Sequence, residues 1–328
     1  MSKEAKMVFE NRIRMKMADR FPEYQADMIN GIIEECLAGF NMELGAVEEY
    51  SSEELLNSYL TNLEISGRSK KTINRYEYII RRLINKTNVP VQDMSVMHIR
   101  DYLGSEKDRG VANSTLDGIR QVFSAFFGWL NREGLILHNP VSNISVIKQR
   151  KKIKEIYSEI DIEKLKNNSK TIRDKAIVCF LYSTGCRISE LTQLNRNDIN
   201  INSQECKVLG KGNKERTVYF DAITGLAIEQ YLKQREDTNE ALFVANKKPY
   251  IRMKPDGIRT MLHELAKGSN VKNVHPHKFR RTRATKLVKH GMPIQEVAAI
   301  LGHEKLDTTM RYVVMDQNDI KNAYQKYV

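Results

Sequence analysis

Apolar residues recur every three to four positions through most of the chain, which is the spacing of amphipathic α-helices. In the first half this spacing predicts four helices, at 52–65, about 69–86, about 95–108 and about 113–133. Ser51 supplies an N-cap for the first helix, and Glu53 and Glu54 supply an acidic first turn. Breaks containing Gly, Pro, Asn or Ser separate the helices. The sequence therefore predicts an all-helical domain at 50–135.

The segments on either side of this domain differ from it in composition. Residues 1–49 are acidic and also show helical spacing, and we predict an accessory helical segment that contacts protein. Residues 136–154 form a predicted basic linker, in which 148–154 holds five basic residues and no acidic one. Such a connector could follow a phosphate backbone and let two domains close around a duplex, or it could be a solvated tether.

Helical spacing resumes near residue 158, and 155–328 is the predicted C-terminal domain. Its exception is 204–220, where two β-prone runs flank a Gly-rich turn at 210–215 and predict a β-hairpin. Neither a G-x-x-x-x-G-K-[ST] loop nor a strand-linked G-x-G-x-x-G motif occurs. The predicted fold is mainly α, with a helical domain followed by a mostly α domain that contains a small antiparallel β-sheet.

Composition then narrows the class of protein. The 328 residues are 41% hydrophobic, too apolar for wholesale disorder, and no run of ~18 apolar residues marks a membrane span. We therefore expect a soluble protein with no membrane partner, and the charged N-terminus, which lacks a secretory signal, predicts a cytoplasmic location. The cysteines show no C-x-x-C pair and are predicted to be reduced and mostly buried: Cys36, Cys179, Cys186 and Cys206.

The net charge of +12 indicates a polyanionic partner such as nucleic acid, and the excess lies in the C-terminal half. Six basic residues of the helical domain suit phosphate oxygens: Arg68, Lys70, Lys71, Arg75, Arg81 and Arg82. A solvated helix face is the alternative interpretation of these six. The aromatic residues of the last helix are predicted to be core rather than a base-stacking platform: Phe123, Phe126, Phe127 and Trp129.

The residues that could carry chemistry are cationic rather than acidic. No acidic cluster of the kind that holds Mg²⁺ stands out, and His275, His277, His290 and His303 form no H-E-x-x-H motif. We therefore expect no metal and no other cofactor. What remains is one candidate catalytic set: Arg187, Lys211, His277, Arg280, His303 and Tyr312. Fixed guanidinium groups can replace metal ions in stabilising a phosphoryl-transfer transition state, so this set fits a phosphodiester substrate.

Four separated motifs hold these residues: Ser183-Thr-Gly-Cys-Arg-Ile-Ser-Glu-Leu191, Gly210-Lys-Gly-Asn-Lys-Glu-Arg216, His277-Lys-Phe-Arg-Arg-Thr-Arg-Ala-Thr285 and Leu301-Gly-His303. Tyr312 follows nine residues after the last motif. In this order they resemble the motifs of the phage-integrase family of tyrosine recombinases, of the Xer-like kind. The resemblance covers roughly residues 50–328. It implies a SAM-like core-binding domain at 50–135 and a catalytic domain of the DNA breaking-rejoining type at 155–328.

The resemblance also implies a reaction, the cutting and rejoining of DNA strands by a site-specific recombinase or integrase. Tyr312 would attack the scissile phosphate, form a 3′-phosphotyrosyl bond and release a 5′-hydroxyl, without metal or ATP. Lys211 would protonate the leaving 5′-oxygen as general acid. Lys214, three residues further on, is its rival for that role.

The other matched residues receive supporting roles. Arg187 and Arg280 would bind the non-bridging phosphate oxygens, and His277 would serve as an acid–base and hydrogen-bond partner. His303 would donate to a phosphate oxygen, while Glu190 would orient the arginines without being catalytic.

Partners follow from the same resemblance. It implies double-stranded DNA, a homotetramer on two duplexes held by exchange of the C-terminal tail, and it allows an accessory factor and a mobile-element origin. Arg281 and Arg283 depart from common family residues, and we expect them to add contacts to DNA phosphates. Two other functions stay open: a type IB topoisomerase, and a DNA-binding protein that has lost catalysis.

Overall fold

The computed structural model describes residues 31–32, 35, 50–149, 155–210, 214–303, 306–310, 321 and 324–325. Several predictions fall outside these residues: the accessory segment at 1–49 for the most part, Cys36, the end of the basic linker, Lys211, Tyr312 and most of the C-terminal tail. The chain divides into two compact units, Met1–Arg150 and Lys151–Val328. None of the helices described is both long enough and apolar enough to span a bilayer.

The first unit contains four helices, α1 (Ser52–Ile65), α2 (Lys70–Thr87), α3 (Val96–Asp108) and α4 (Asn113–Arg132). These bounds confirm the four predicted helices. The N-cap of α1 is also as predicted, since Ser51 Oγ accepts from the Glu54 N–H at 3.2 Å. The Glu54 carboxylate accepts from the Ser51 N–H at 2.7 Å, which completes a capping box. At the C-terminal end of α2, Asn88 takes a left-handed conformation and ends the helix.

Aromatic side chains fill the core of the first unit. Phe123, Phe126 and Phe127 are fully buried, and the Tyr59 ring lies 5.1 Å from that of Phe126 and 5.3 Å from that of Trp129. The prediction that these aromatic residues form the core is confirmed. The chain after α4 continues to pack on this core, because Ile136 and Val141 are buried and the Ile147 N–H donates to Asp117 Oδ1 at 3.2 Å.

The six basic residues of this unit that the sequence singles out for phosphate contacts fall into two groups. Arg81 pairs with Glu53 and Glu77, and Arg82 donates to Glu106 at 3.0 Å. These two arginines therefore form ion pairs within the unit. The others are exposed along the connection before α2 and on its first half: Arg68, Lys70, Lys71 and Arg75.

The second unit contains eight helices among the residues that the structure describes: α5 (Glu159–Asn167), α6 (Ile172–Thr184), α7 (Ile188–Gln193), α8 (Ala222–Lys233), α9 (Pro255–Ser269), α10 (Pro276–Lys289), α11 (Ile294–Leu301) and α12 (Leu306–Met310). Three antiparallel strands lie between α7 and α8 in the order β1 (Ile199–Asn200), β2 (Glu205–Leu209) and β3 (Glu215–Tyr219). The β2–β3 pair confirms the predicted hairpin. Strand β1 was not predicted, because two residues are too short to show alternation.

Helix α6 is the centre of the second unit. Its residues 176–181 are consecutive and all buried, so the helix is apolar on every side and is covered by α5, α8 and α10. Cys179, Cys186 and Cys206 are buried and not disulfide-bonded, as predicted. Burial raises the pKa of Cys186 to about 12, so this thiol stays protonated. The fold is thus mainly α with a small antiparallel sheet, and α6 ends three residues before Arg187.

Candidate active site

Arg187 stands in the connection between α6 and α7. Gly185 caps the C-terminal end of α6 with a left-handed φ of 62°, and the chain turns there towards α7. Arg187 Nη1 donates to Glu190 Oε1 at 2.8 Å, and its backbone N–H donates to Glu190 Oε2 at 2.7 Å. Its Nη2 donates to the Gly302 carbonyl at 3.2 Å. The side chain is 32% exposed, so part of the guanidinium faces solvent.

Arg280 comes from α10 and is 1% exposed. Its Nη1 donates to the Gly185 carbonyl at 3.0 Å, and its Nη2 donates to the Leu301 carbonyl at 2.5 Å. The same Nη2 lies 2.7 Å from Nε2 of His303. Arg280 therefore joins the end of α6 to the end of α11.

Arg216 is the second residue of β3 and the main site residue that the motifs did not single out. Its Nη1 and Nη2 donate to the two carboxylate oxygens of Glu190, both at 2.8 Å, and its Nε donates to the Ile300 carbonyl at 2.9 Å. A signal was available in the sequence, because alternate residues of a strand share one face. Arg216 shares its face with the buried Val218, so it points inward.

The C-terminal end of α11 binds all three guanidinium groups. The carbonyls of Ile300, Leu301 and Gly302 each accept from a different arginine, in this order: Arg216, Arg280 and Arg187. The last carbonyls of a helix have no partner within it and form the negative end of its dipole. This end of α11 is therefore an anchor that holds three like charges near one another.

Glu190 balances part of that charge. It is 2% exposed and its two oxygens accept four hydrogen bonds, two from Arg216 and two from Arg187. Burial by itself would raise the pKa of Glu190, but the contacts with Arg216 and Arg187 outweigh it and lower the pKa. One carboxylate among three guanidinium groups leaves the site net positive.

The ring of His303 is neutral near neutral pH. Desolvation first, and then the charges of Arg280 and Arg187, lower its pKa to about 4. A guanidinium group cannot accept a hydrogen bond, so Nε2 must accept from Arg280. The proton of the neutral ring then lies on Nδ1, which is 2.8 Å from Thr309 Oγ1 and donates to it. In this structure both nitrogens of His303 are used within the protein.

His277 lies one turn before Arg280 on α10 and is exposed. Partial burial of the ring, and then the charges of Arg280 and Arg187, lower the pKa of His277. His277 is therefore also neutral near neutral pH. The two remaining histidines of this region act at helix ends: His275 Nδ1 accepts from the Lys278 N–H at 3.2 Å, and His290 Nδ1 lies 2.7 Å from the Lys286 carbonyl.

The other predicted residues lie as follows. Lys211 and Tyr312 are outside the described residues, but the stem of the Lys211 loop is closed by a 2.8 Å bond from the Gly210 N–H to the Lys214 carbonyl. Arg281 is buried and Arg283 half-buried, and burial lowers the pKa of Arg283.

Metal ligation finds no support in the side chains described. Over the ranges that the structure covers, no three His, Cys, Asp or Glu residues lie together in a way that could hold a metal ion. The cationic side chains brought together are Arg187, Arg216 and Arg280, beside two neutral histidines. Such a set can bind an anion with several oxygens and stabilise added negative charge on it.

Comparison with known proteins gives two family matches. Residues 149–319 match the profile described as the phage integrase family, and residues 55–136 match that of the phage integrase N-terminal SAM-like domain. Tyrosine recombinase XerC of Leptospira interrogans is 31% identical over 302 residues, which cover 85% of this chain and 95% of that protein. Tyrosine recombinase XerC of Staphylococcus epidermidis is 30% identical over 256 residues, covering 74% of this chain and 84% of that protein.

Among solved structures, a lambda integrase tetramer bound to a Holliday junction is similar in fold. The TM-score is 0.67 at 17% sequence identity, and the match covers 88% of this chain and 85% of that chain. At this identity the likeness concerns the fold.

Proposed function

The chain belongs to the phage integrase family and is a tyrosine-type site-specific recombinase, and from this premise we propose that it cuts and rejoins DNA strands through a phosphotyrosyl intermediate. Tyr312 is the proposed nucleophile, forming a bond to the 3′-phosphate and releasing a 5′-hydroxyl. The energy of the broken phosphodiester is retained in the new bond, so the reaction needs no ATP, and the arginines take the place of a metal ion in stabilising the negative charge.

The observation that carries this proposal is the convergence of Arg187 and Arg280 on the end of α11. A phosphoryl-transfer transition state spreads negative charge over its non-bridging oxygens, and two guanidinium groups held near one another can stabilise that charge. Arg187 is partly exposed and can receive a phosphate oxygen directly. Arg280 is 1% exposed, so a phosphate reaches it only when part of its cover moves.

The histidines take different parts in this proposal. His277 is exposed and neutral, so it can accept a proton from the attacking tyrosine and return it when the strand is rejoined. His303 accepts from Arg280 and therefore holds that guanidinium in place. For His303 to donate to a phosphate oxygen as well, one of its two present contacts must be given up.

Lys211 is the proposed general acid for the leaving 5′-oxygen, by its place in the Gly210–Arg216 motif. Its loop is carried by β2 and β3, and β3 also carries Arg216, which contacts Glu190. The loop therefore starts from a strand that is already fixed to the arginine site.

The proposed partner is double-stranded DNA, bound by a homotetramer that joins two duplexes in the cytoplasm. The lambda integrase structure, a tetramer on a Holliday junction, supports this assembly by likeness of fold. The exposed residues Arg68, Lys70, Lys71 and Arg75 add a basic face to the first unit that suits DNA phosphates. DNA integration by a mobile element, with an accessory factor, belongs to the same proposal, and sequencing the DNA beside the gene for attachment-site repeats tests it.

A nicked suicide substrate tests the reaction. We expect the native chain to form a covalent protein–DNA adduct in EDTA, and Tyr312→Phe, with an unchanged fold, to form none. An adduct that persists in Tyr312→Phe would remove Tyr312 as the nucleophile. Strict dependence on a divalent metal would contradict the mechanism.

A further inference from the structure

Glu190 poses a problem for the proposed chemistry. It is a buried carboxylate that accepts from both the side chain and the backbone of Arg187, the arginine whose charge is needed for the phosphate. An ion pair between these two alone would be neutral, and its attraction for a phosphate would be weak. A second cationic group must neutralise the Glu190 carboxylate if the positive charge of Arg187 is to act on the phosphate.

Arg216 has the geometry to do so. Its two terminal nitrogens donate to the two oxygens of Glu190, both at 2.8 Å, in the paired arrangement that binds carboxylates most strongly. Arg187 contributes one side-chain bond to Glu190 and directs its other terminal nitrogen to the Gly302 carbonyl. The cluster of Arg187, Glu190 and Arg216 therefore keeps one unit of positive charge, and its exposed member is Arg187, since the Arg216 side chain is 13% exposed.

Arg216 also fixes three elements relative to one another. It belongs to β3, it binds Glu190 of α7, and its Nε donates to the Ile300 carbonyl at the end of α11. No lysine could make these three contacts at once, because a single ammonium group lacks the planar array of donors. The residue thus sets both the charge and the position of the arginine site.

Resting on the proposed function, the geometry points to Arg216 as a positioning residue for phosphoryl transfer: by binding Glu190 it leaves the charge of Arg187 available to the scissile phosphate. Arg216 touches Glu190 and the backbone, not the reacting atoms. Its loss is expected to slow strand cleavage by about 100-fold, the size of effect that a small misplacement of a catalytic group can cause.

The test compares two nicked suicide substrates, one with the natural scissile phosphate and one with a methylphosphonate there. The methylphosphonate lacks one negatively charged oxygen, so it depends less on the charge of Arg187. We expect Arg216→Met to be slowed about 100-fold on the phosphate and by a much smaller factor on the methylphosphonate, with DNA affinity retained. Arg216→Lys, which keeps the charge, is expected to fall between Arg216→Met and the native chain.

Two further variants separate positioning from a structural effect. Arg173→Met is the matched control, because Arg173 is buried in the same unit and binds the Asp174 carboxylate and the Val244 carbonyl. It is expected to lower thermal stability while changing both cleavage rates by the same small factor. Adding Glu190→Gln to Arg216→Met removes the charge that Arg216 neutralises, so the double variant is expected to cleave the phosphate faster than Arg216→Met alone.

Equal losses on the two substrates, together with a double variant slower than Arg216→Met, would overturn the role of Arg216 and leave the recombinase reaction standing. Absence of any adduct from the native chain on the phosphate substrate would instead overturn the proposed function. If Arg216→Met does not fold, Arg216→Lys is compared with the native chain on the two substrates instead. An equal loss on both substrates in Arg216→Lys would then overturn the role of Arg216.

Discussion

Nη2 of Arg280 lies 2.7 Å from Nε2 of His303, and this contact determines which nitrogen of the histidine carries its proton. The arginine can only donate, so Nε2 accepts, and Nδ1 holds the proton and donates to Thr309. Both nitrogens of His303 are therefore occupied, one by Arg280 and one by Thr309. Arg280 in turn is held by two carbonyls that end different helices, those of Gly185 and Leu301.

The tautomer of His303 can be measured directly. We expect long-range ¹H–¹⁵N correlation spectra of the DNA-free protein to show a neutral ring with its proton on Nδ1 from pH 7 down to pH 5, because its pKa is about 4. His303→Gln identifies the signal by its loss. A ring protonated on Nε2, or a ring that becomes cationic above pH 6, would contradict the contact with Arg280.

The lowered pKa of His303 also makes stability depend on pH. Its pKa falls from 6.5 to about 4 on folding, so the unfolded chain takes up a proton first as the pH drops. This residue therefore contributes stability that is complete above about pH 6.5 and decreases as the pH falls towards 4. Between pH 7 and pH 5 we expect the free energy of unfolding to fall more for the native chain than for His303→Gln, measured by urea denaturation.

His290→Gln serves as the control for this measurement, because His290 is exposed at the end of α10. This variant removes a histidine of the same unit that contacts the Lys286 carbonyl rather than the arginines of the site, so a difference between it and His303→Gln is assigned to His303. A His303→Gln variant whose stability falls as steeply as the native chain's would mean that His303 is not desolvated in the folded protein.

A substitution at Gly302 tests the anchor at the end of α11. Gly302 has a φ of 66°, and an added Cβ would lie 3.0 Å from both Cδ and Nε of Arg216. We expect Gly302→Ala to cost about 1–2 kcal/mol of stability from its left-handed backbone alone, and to slow strand cleavage because Arg216 must move. Thermal unfolding and the suicide-substrate assay measure the two effects.

Gly268→Ala is the matched control for Gly302→Ala. Gly268 lies in α9 with nothing within 4 Å of an added Cβ, so the alanine should stabilise the helix by about 0.4–1 kcal/mol and leave cleavage unchanged. If Gly302→Ala lowers stability and leaves the cleavage rate intact, then the position of Arg216 does not control the reaction.

The elements of the fold were largely predictable from the sequence, because their signals are local. The Ser51 cap, the helical spacing through 52–133 and the turn between β2 and β3 each depend on residues close together in the chain. The family, too, followed from short motifs.

The contacts that assemble the site were not predictable in the same way. Arg216 reaches the Ile300 carbonyl across 84 positions of the chain, and Arg187 reaches the Gly302 carbonyl across 115. Their acceptors are backbone carbonyls, which no side-chain motif reveals. The motifs therefore identified Arg187 and Arg280 but could not show that both depend on the end of α11, or that His303 faces Arg280.

The role of Lys211 against Lys214 gives the last prediction. Lys214 is exposed, and its carbonyl closes the stem of the hairpin loop with the Gly210 N–H, whereas Lys211 is chosen by its register in the motif. A general acid is needed only when the leaving group must be protonated, and a thiolate leaves without a proton. We therefore expect Lys211→Ala to cleave the natural substrate at least 100-fold more slowly, within the range of general acid catalysis, and to cleave a 5′-bridging phosphorothiolate at close to the native rate. Lys214→Ala should cleave both substrates at near-native rates.

The reverse pattern, in which the sulfur substrate rescues Lys214→Ala alone, would assign the role of general acid to Lys214. Rescue in neither variant would mean that the proton comes from a group outside this loop.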